Sequence, residues 1–212
     1  FLTKSVVTAS FAIICLFKNN SPILFANVYA ESKTTNSVAL RLIFEATTLD
    51  WTLGDVPIHV INNVVEGLYQ IDGSGNVMPV EATSLPKSIG KNRYKIILQK
   101  GLKWSDGKEV VANQYIDAWK RLLDSRTAST YAYLLYFVKG AKKYNQGLLP
   151  QERLGFRATG PYTIELELEP ELASKRQQKF SGAVFSHWAT YPTRNDLIEK
   201  YGSSWASKPS QM

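Results

Sequence analysis

Apolar and polar residues alternate most regularly in two stretches. Over Arg93–Gln99, Tyr94, Ile96 and Leu98 interleave with Arg93, Lys95, Ile97 and Gln99; over Tyr162–Glu169, Tyr162, Ile164, Leu166 and Leu168 interleave with Thr163, Glu165, Glu167 and Glu169. A period of two predicts strands of a half-buried sheet. One strand carries basic groups outward and the other a row of Glu, so as neighbours their wet faces would pair, with little gain in stability. Leu154–Ala158 is expected to pair with the second strand through the turn Thr159-Gly160-Pro161. Val38, Leu40, Leu42 and Phe44 predict a further strand, and Leu68–Ile71 with Val77–Val80 a hairpin around Asp72–Asn76. Helical spacing appears elsewhere. Pro57 suits the first turn of a helix whose apolar positions are Ile58, Ile61, Val64, Val65 and Leu68, with Gly67 weakening its end. Tyr115, Ala118, Trp119 and Leu122 form a second stripe. Tyr131, Leu134, Leu135 and Val138 form a third, capped by Ser129. Thr193-Arg194-Asn195-Asp196 reads as a capping box that opens a helix through Leu197, Ile198 and Tyr201. The sum is a mixed α/β protein.

The first thirty residues have a different character. Lys4 precedes an acid-free apolar run from Ser5 to Phe17, and Val28-Tyr29-Ala30 ends the region before Glu31. A run this short, closed by a small residue, predicts a signal peptide over residues 1–30, cleaved after Ala30; an uncleaved N-terminal anchor is the alternative. Cys15, the single cysteine, lies in that run. The mature chain is therefore expected to have no thiol, which excludes disulfides, thiol nucleophiles and cysteine metal sites. Phe1 stands where a reading frame would place Met, so the front of the sequence is expected to be clipped.

Composition narrows the function further. With 44% apolar and 12% aromatic residues in 212, the chain can bury a core. Its net charge of +7 permits nucleic acid or an anionic membrane as partner. The basic clusters Lys139–Lys143 and Lys175–Lys179 are short and helix-like, without interleaved aromatics, and read as solvated faces, so no nucleic-acid partner is expected. Catalytic patterns are missing. His59 and His187 have no partner at metal-ligand or triad spacing, Gly73-Ser74-Gly75 lacks the rest of a phosphate loop, and Glu165 with Glu167 repeats as a wet sheet face does. The expectation is a protein that is not an enzyme and holds neither metal nor cofactor.

Gly101-Leu102-Lys103-Trp104-Ser105-Asp106-Gly107 first resembles a reactive cluster, with Lys, Ser and Asp close together. Its Asp-Gly dipeptide between a strand and a helix instead predicts a turn closed by a buried Trp104. Together with Val64-Val65-Glu66-Gly67-Leu68-Tyr69, Tyr94-Lys95-Ile96-Ile97-Leu98, Tyr115–Leu122 and Thr127–Tyr133, in that order and spacing, this segment resembles one family. It is the extracytoplasmic solute-binding proteins of peptide ABC transporters, the oligopeptide- and dipeptide-binding type of bacterial solute-binding family 5. The similarity runs from Thr48-Leu49-Asp50 to Trp205. Trp51 departs from the usual Pro, and Val111 with Gln114 departs from a Thr/Asp-type cap.

The resemblance implies a periplasmic-binding-protein-like α/β fold (type II, cluster C). The chain would be the first lobe only, a discontinuous domain over 37–65 and 183–212 with an inserted α+β subdomain over 66–182; the second lobe is missing because the family is at least twice as long. It implies an exported, monomeric, periplasmic component of an importer that takes up oligopeptides and delivers them to permease and ATPase subunits. Peptide held by its main chain gives low selectivity. Two places match the family's ligand contacts. The turn Leu53-Gly54-Asp55 is one, with Asp55 either contacting ligand or capping the helix after Pro57. Tyr131 is the other, lining the cleft or serving as a core aromatic. Two alternatives stand beside this reading: a non-binding fragment or interaction module, and a carbohydrate- or cell-wall-binding module stacking sugars on Trp51, Trp104, Trp188 and Trp205.

Overall fold

The computed structural model describes residues 48–53, 56, 58–170 and 180–207. The signal segment with Cys15, the strand over Val38–Phe44, Gly54, Asp55, Pro57 and the Lys175–Lys179 cluster lie outside the described residues.

The two alternating stretches form adjacent strands. Helix α1 (Ile58–Val64) precedes a hairpin of β1 (Tyr69–Ile71) and β2 (Val77–Pro79), and β3 (Lys87–Ser88) leads into β4 (Arg93–Ile97). Helices α2 (Ala112–Leu123) and α3 (Ala141–Asn145) follow, then β5 (Phe156–Gly160), β6 (Thr163–Glu167) and helix α4 (Asn195–Tyr201). The larger sheet has the order β3-β4-β6-β5, antiparallel throughout, with Ile96 opposite Ile164 and Lys95 opposite Glu165. Ile96, Ile164 and Leu166 face the core. The outer face carries the charges: Glu165 accepts from Arg93 at 3.0 Å and Arg157 at 2.9 Å.

The hairpin turn is built by Asp72, whose Oδ1 accepts from the backbone N–H of Ser74 and of Asn76, both at 2.8 Å. Residue 75 takes φ +83°, which Gly provides without strain. α2 buries Tyr115, Ala118, Trp119 and Leu122. Trp119 stacks on Phe185 at 4.6 Å and meets Phe156 edge-on at 5.5 Å, which joins the helix to the sheet and to the late segment. Val111 cannot cap with its own side chain, but Gln114 Oε1 accepts from the Val111 N–H at 3.0 Å, leaving half of a capping box.

Four local expectations need correction. α1 ends at Val64, three residues before Gly67, and its buried positions are Val60 and Ile61, with Ile58 and Val64 exposed. The third stripe is not an α-helix but a short 3₁₀ turn, Ala132–Leu135. Tyr131 of the stripe is drawn to Trp188, while the neighbouring Phe137 packs on Phe180 and Phe185, and this packing overrides the helical spacing. At α4 the cap falls on Arg194 rather than Thr193, because the Arg194 guanidinium is held by Asp106 and Asp196. Trp104 closes its corner only half-buried, donating from Nε1 to Gln114 Oε1 at 3.0 Å. The corner is a turn, as expected, with Trp104 N–H on Lys108 O at 2.8 Å and Gly107 N–H on Trp104 O at 2.9 Å.

Gly67 has a different duty from ending a helix. A Cβ there would lie 2.3 Å from the ring of Tyr191, so only Gly allows that ring to lie against the backbone.

Candidate functional site

The segment from His187 to Tyr191 is where the two candidate regions meet. Its core is a 3₁₀ turn, Trp188–Thr190, capped by His187, whose Nδ1 accepts from the Ala189 N–H at 3.2 Å. Burial pushes the His187 pKa below its ordinary value, which favours the neutral ring. Trp119 on α2 donates to Thr190 O at 2.9 Å and fixes the turn from below.

Asp50 organises the first region. It is fully buried, and its Oδ2 accepts from Arg121 at 2.6 Å and from the Trp205 indole at 2.9 Å. Oδ1 accepts from the Thr52 hydroxyl at 2.6 Å and from the Thr52 N–H at 3.2 Å, and Arg121 Nε reaches Thr52 Oγ1 at 3.0 Å. Each lone pair of a buried carboxylate is thereby occupied. Trp51, packed edge-on against Trp205 at 5.2 Å, donates from Nε1 to Tyr191 O at 3.4 Å. Leu53 closes the turn on Asp50 O at 3.1 Å and is partly exposed.

Tyr131 forms the second region. Half-buried at the N-cap of its 3₁₀ turn, it lies 4.8 Å from Trp188 in an edge contact and 4.9 Å from His187. Tyr133, 6.3 Å from Tyr131, is 58% exposed. Tyr131 therefore rests on His187–Tyr191 through its ring contacts, and Trp51, two residues before Leu53 in the same turn, reaches that segment at Tyr191 O. Gly54 and Asp55 lie outside the described residues. His187 is a capping residue, and its position beside Tyr131 was not visible in the sequence, because the two are joined only through space. The stacking-platform alternative fails: Trp51, Trp188 and Trp205 are 1%, 5% and 1% exposed, so no plane of exposed indoles exists among them.

Comparison with known proteins identifies the family and the fold. The profile of bacterial extracellular solute-binding proteins, family 5 (middle region), matches residues 76–210. The chain belongs to this family. A dipeptide-binding protein of Lactococcus lactis is 28% identical over 180 residues, covering 83% of this chain and 32% of that protein. A probable deoxycholate-binding periplasmic protein of Escherichia coli is 33% identical, covering 72% of this chain and 28% of that one. The solved structure of Listeria monocytogenes OppA bound to peptide superposes with a TM-score of 0.69 at 30% identity, covering 79% of this chain and 32% of that chain. The family-5 fold seen in that structure is the fold found here, and the chain spans about a third of the length of the relatives it matches.

Proposed function

We propose that this chain is part of the extracytoplasmic peptide-binding component of an ABC importer, contributing one wall of the solute cleft. The carrying observation is that Trp51, from the turn that Asp50 anchors and that Leu53 closes, and Tyr131 both pack on one segment, His187–Tyr191, which Trp119 ties to α2. Rigid elements are what a wall needs if main-chain contacts are to hold peptides of many sequences. On this reading Leu53, Gly54 and Asp55 offer the backbone and acidic contacts, and Tyr131 lines the cleft with Tyr133 beside it. The proposal extends to export with cleavage near Ala30, a monomeric state, no catalysis, delivery to permease and ATPase subunits, and a lobe divided at residues 37–65, 66–182 and 183–212. Two curated relatives named for dipeptide binding and the peptide-bound structural neighbour favour peptide as the solute.

The relative named for deoxycholate makes the solute class testable. Thermal unfolding of the full chain should shift upward with a mixture of di- to pentapeptides and not with deoxycholate. At a hundredfold excess over the dissociation constant, binding adds about 2.7 kcal/mol. A shift with deoxycholate alone would replace the peptide reading, and no shift with either would favour the non-binding alternative.

A further inference from the structure

Glu81 is a buried acid that the solute site does not use. It is 8% exposed, on the segment that returns from the hairpin toward the larger sheet. Its backbone is tied on both sides: its N–H donates to Gly67 O at 3.2 Å, and its carbonyl accepts from the Gln99 N–H at 2.7 Å. Its neighbour Ala82 bridges to Leu98. The side chain reaches α2, where the fully buried Tyr115 hydroxyl donates to Glu81 Oε2. The other ionisable groups around it are the Glu66 carboxylate, from the connection between α1 and β1, and Tyr191, whose ring lies on Gly67. Among the described residues no Lys, Arg or His forms an ion pair with Glu81.

An ionised carboxylate in this place would face another acid and two phenols with a single donor to hold it, which is costly for a buried charge. A neutral carboxyl fits, since it can share one hydrogen bond with Tyr115 without bringing a charge into the core. We infer that Glu81 is a proton-operated latch: protonated, it lets the hairpin's return segment pack against α2 with no charge in the core, and ionised, it places there a charge that Tyr115 alone cannot compensate, which weakens that packing. The electrostatics agree. Desolvation, first, and the Glu66 charge push the Glu81 carboxyl up to about 7, while the Tyr115 hydrogen bond opposes them. Burial and the Glu81 charge push the Tyr115 phenol well above its ordinary value, so it stays a donor across this range.

The folded state holds this proton up to about pH 7, whereas an unfolded glutamate releases it near 4.5. Stability drawn from the latch is therefore full below pH 4.5 and is lost as pH rises through 7. The inference does not depend on the solute, so it fails or stands apart from the peptide reading.

The test is a carbon-detected NMR titration of the Glu81 side-chain carboxyl in the full chain, paired with amide hydrogen exchange at Ala82 and Gln99 corrected for intrinsic rates. The expected carboxyl midpoint lies near 7. Protection at the two amides should fall about tenfold between pH 6 and 8 in the wild-type chain and stay level in Glu81→Gln. Tyr115→Phe removes the one donor to the charge, so it should move the midpoint upward. A midpoint below 5, or protection that does not change with pH, would overturn the latch; the wild-type titration decides this even if neither variant folds.

Discussion

Asp50 and Glu165 are both carboxylates gripped by guanidinium groups, and they sit in opposite surroundings. Asp50 is fully buried, with one Arg, one Thr and one Trp indole completing its hydrogen bonds. Glu165 lies on the outer face of the sheet between Arg93 and Arg157, whose side chains are 48% and 66% exposed. The contact distances are similar, 2.6 Å against 2.9 and 3.0 Å, so geometry does not separate them. Water does. Around Glu165 solvent and salt screen the attraction, whereas around Asp50 losing one partner strands the others without a substitute.

This contrast orders the expected effects of substitution. Asp50→Asn should be the most damaging, about 3 kcal/mol or more in denaturant unfolding, because Arg121 and the Trp205 indole lose the charge they share. A cost below about 1 kcal/mol would show that the Asp50 network is not the support that positions Leu53. Trp104→Ala should fall between the extremes. Its indole is half-buried, with Arg194 over its face at 5.7 Å and Gln114 on its N–H, so about 2 kcal/mol is expected rather than the cost of a fully buried Trp. An unchanged melting temperature would remove the corner's structural role. Glu165→Gln should cost under about 1 kcal/mol, and that small effect should vanish in 1 M salt while the Asp50→Asn penalty persists. A salt-insensitive loss at Glu165 would erase the distinction between the two sites.

The same contrast explains what was legible in the sequence. The sheet was readable because a wet face writes itself as alternation: Arg93, Lys95, Glu165 and Glu167 mark one side, Ile96 and Ile164 the other, and the two strands do pair. The hairpin was readable from Asp72-Gly73-Ser74-Gly75-Asn76, since turn chemistry is local. The Asp50 network was not readable, because it joins residues 50, 121 and 205, and no periodicity links positions that far apart. Tyr131 was singled out by likeness to a family, yet its partners His187 and Trp188 come from a segment more than fifty residues later. Its own helical spacing misled, since aromatic side chains at 131 and 137 pack in different directions. Glu81 left a faint local signal, an acid between Val80 and Ala82 where the chain turns back into the core, but only the burial beside Tyr115 shows what that acid faces. The Trp corner was recognisable as a turn, although its ties to Arg194 and Gln114 emerge only in three dimensions.

The central claim is that the surface resting on His187–Tyr191 receives peptide. Photo-crosslinking of the full chain with a pentapeptide carrying benzoylphenylalanine, followed by mass mapping of the labelled residues, tests it directly. The account predicts labels within 53–55 and at Tyr131 or Tyr133, competed away by unlabelled peptide. Labels confined to the Trp104 corner or the outer sheet face, or labels that excess peptide does not displace, would contradict it.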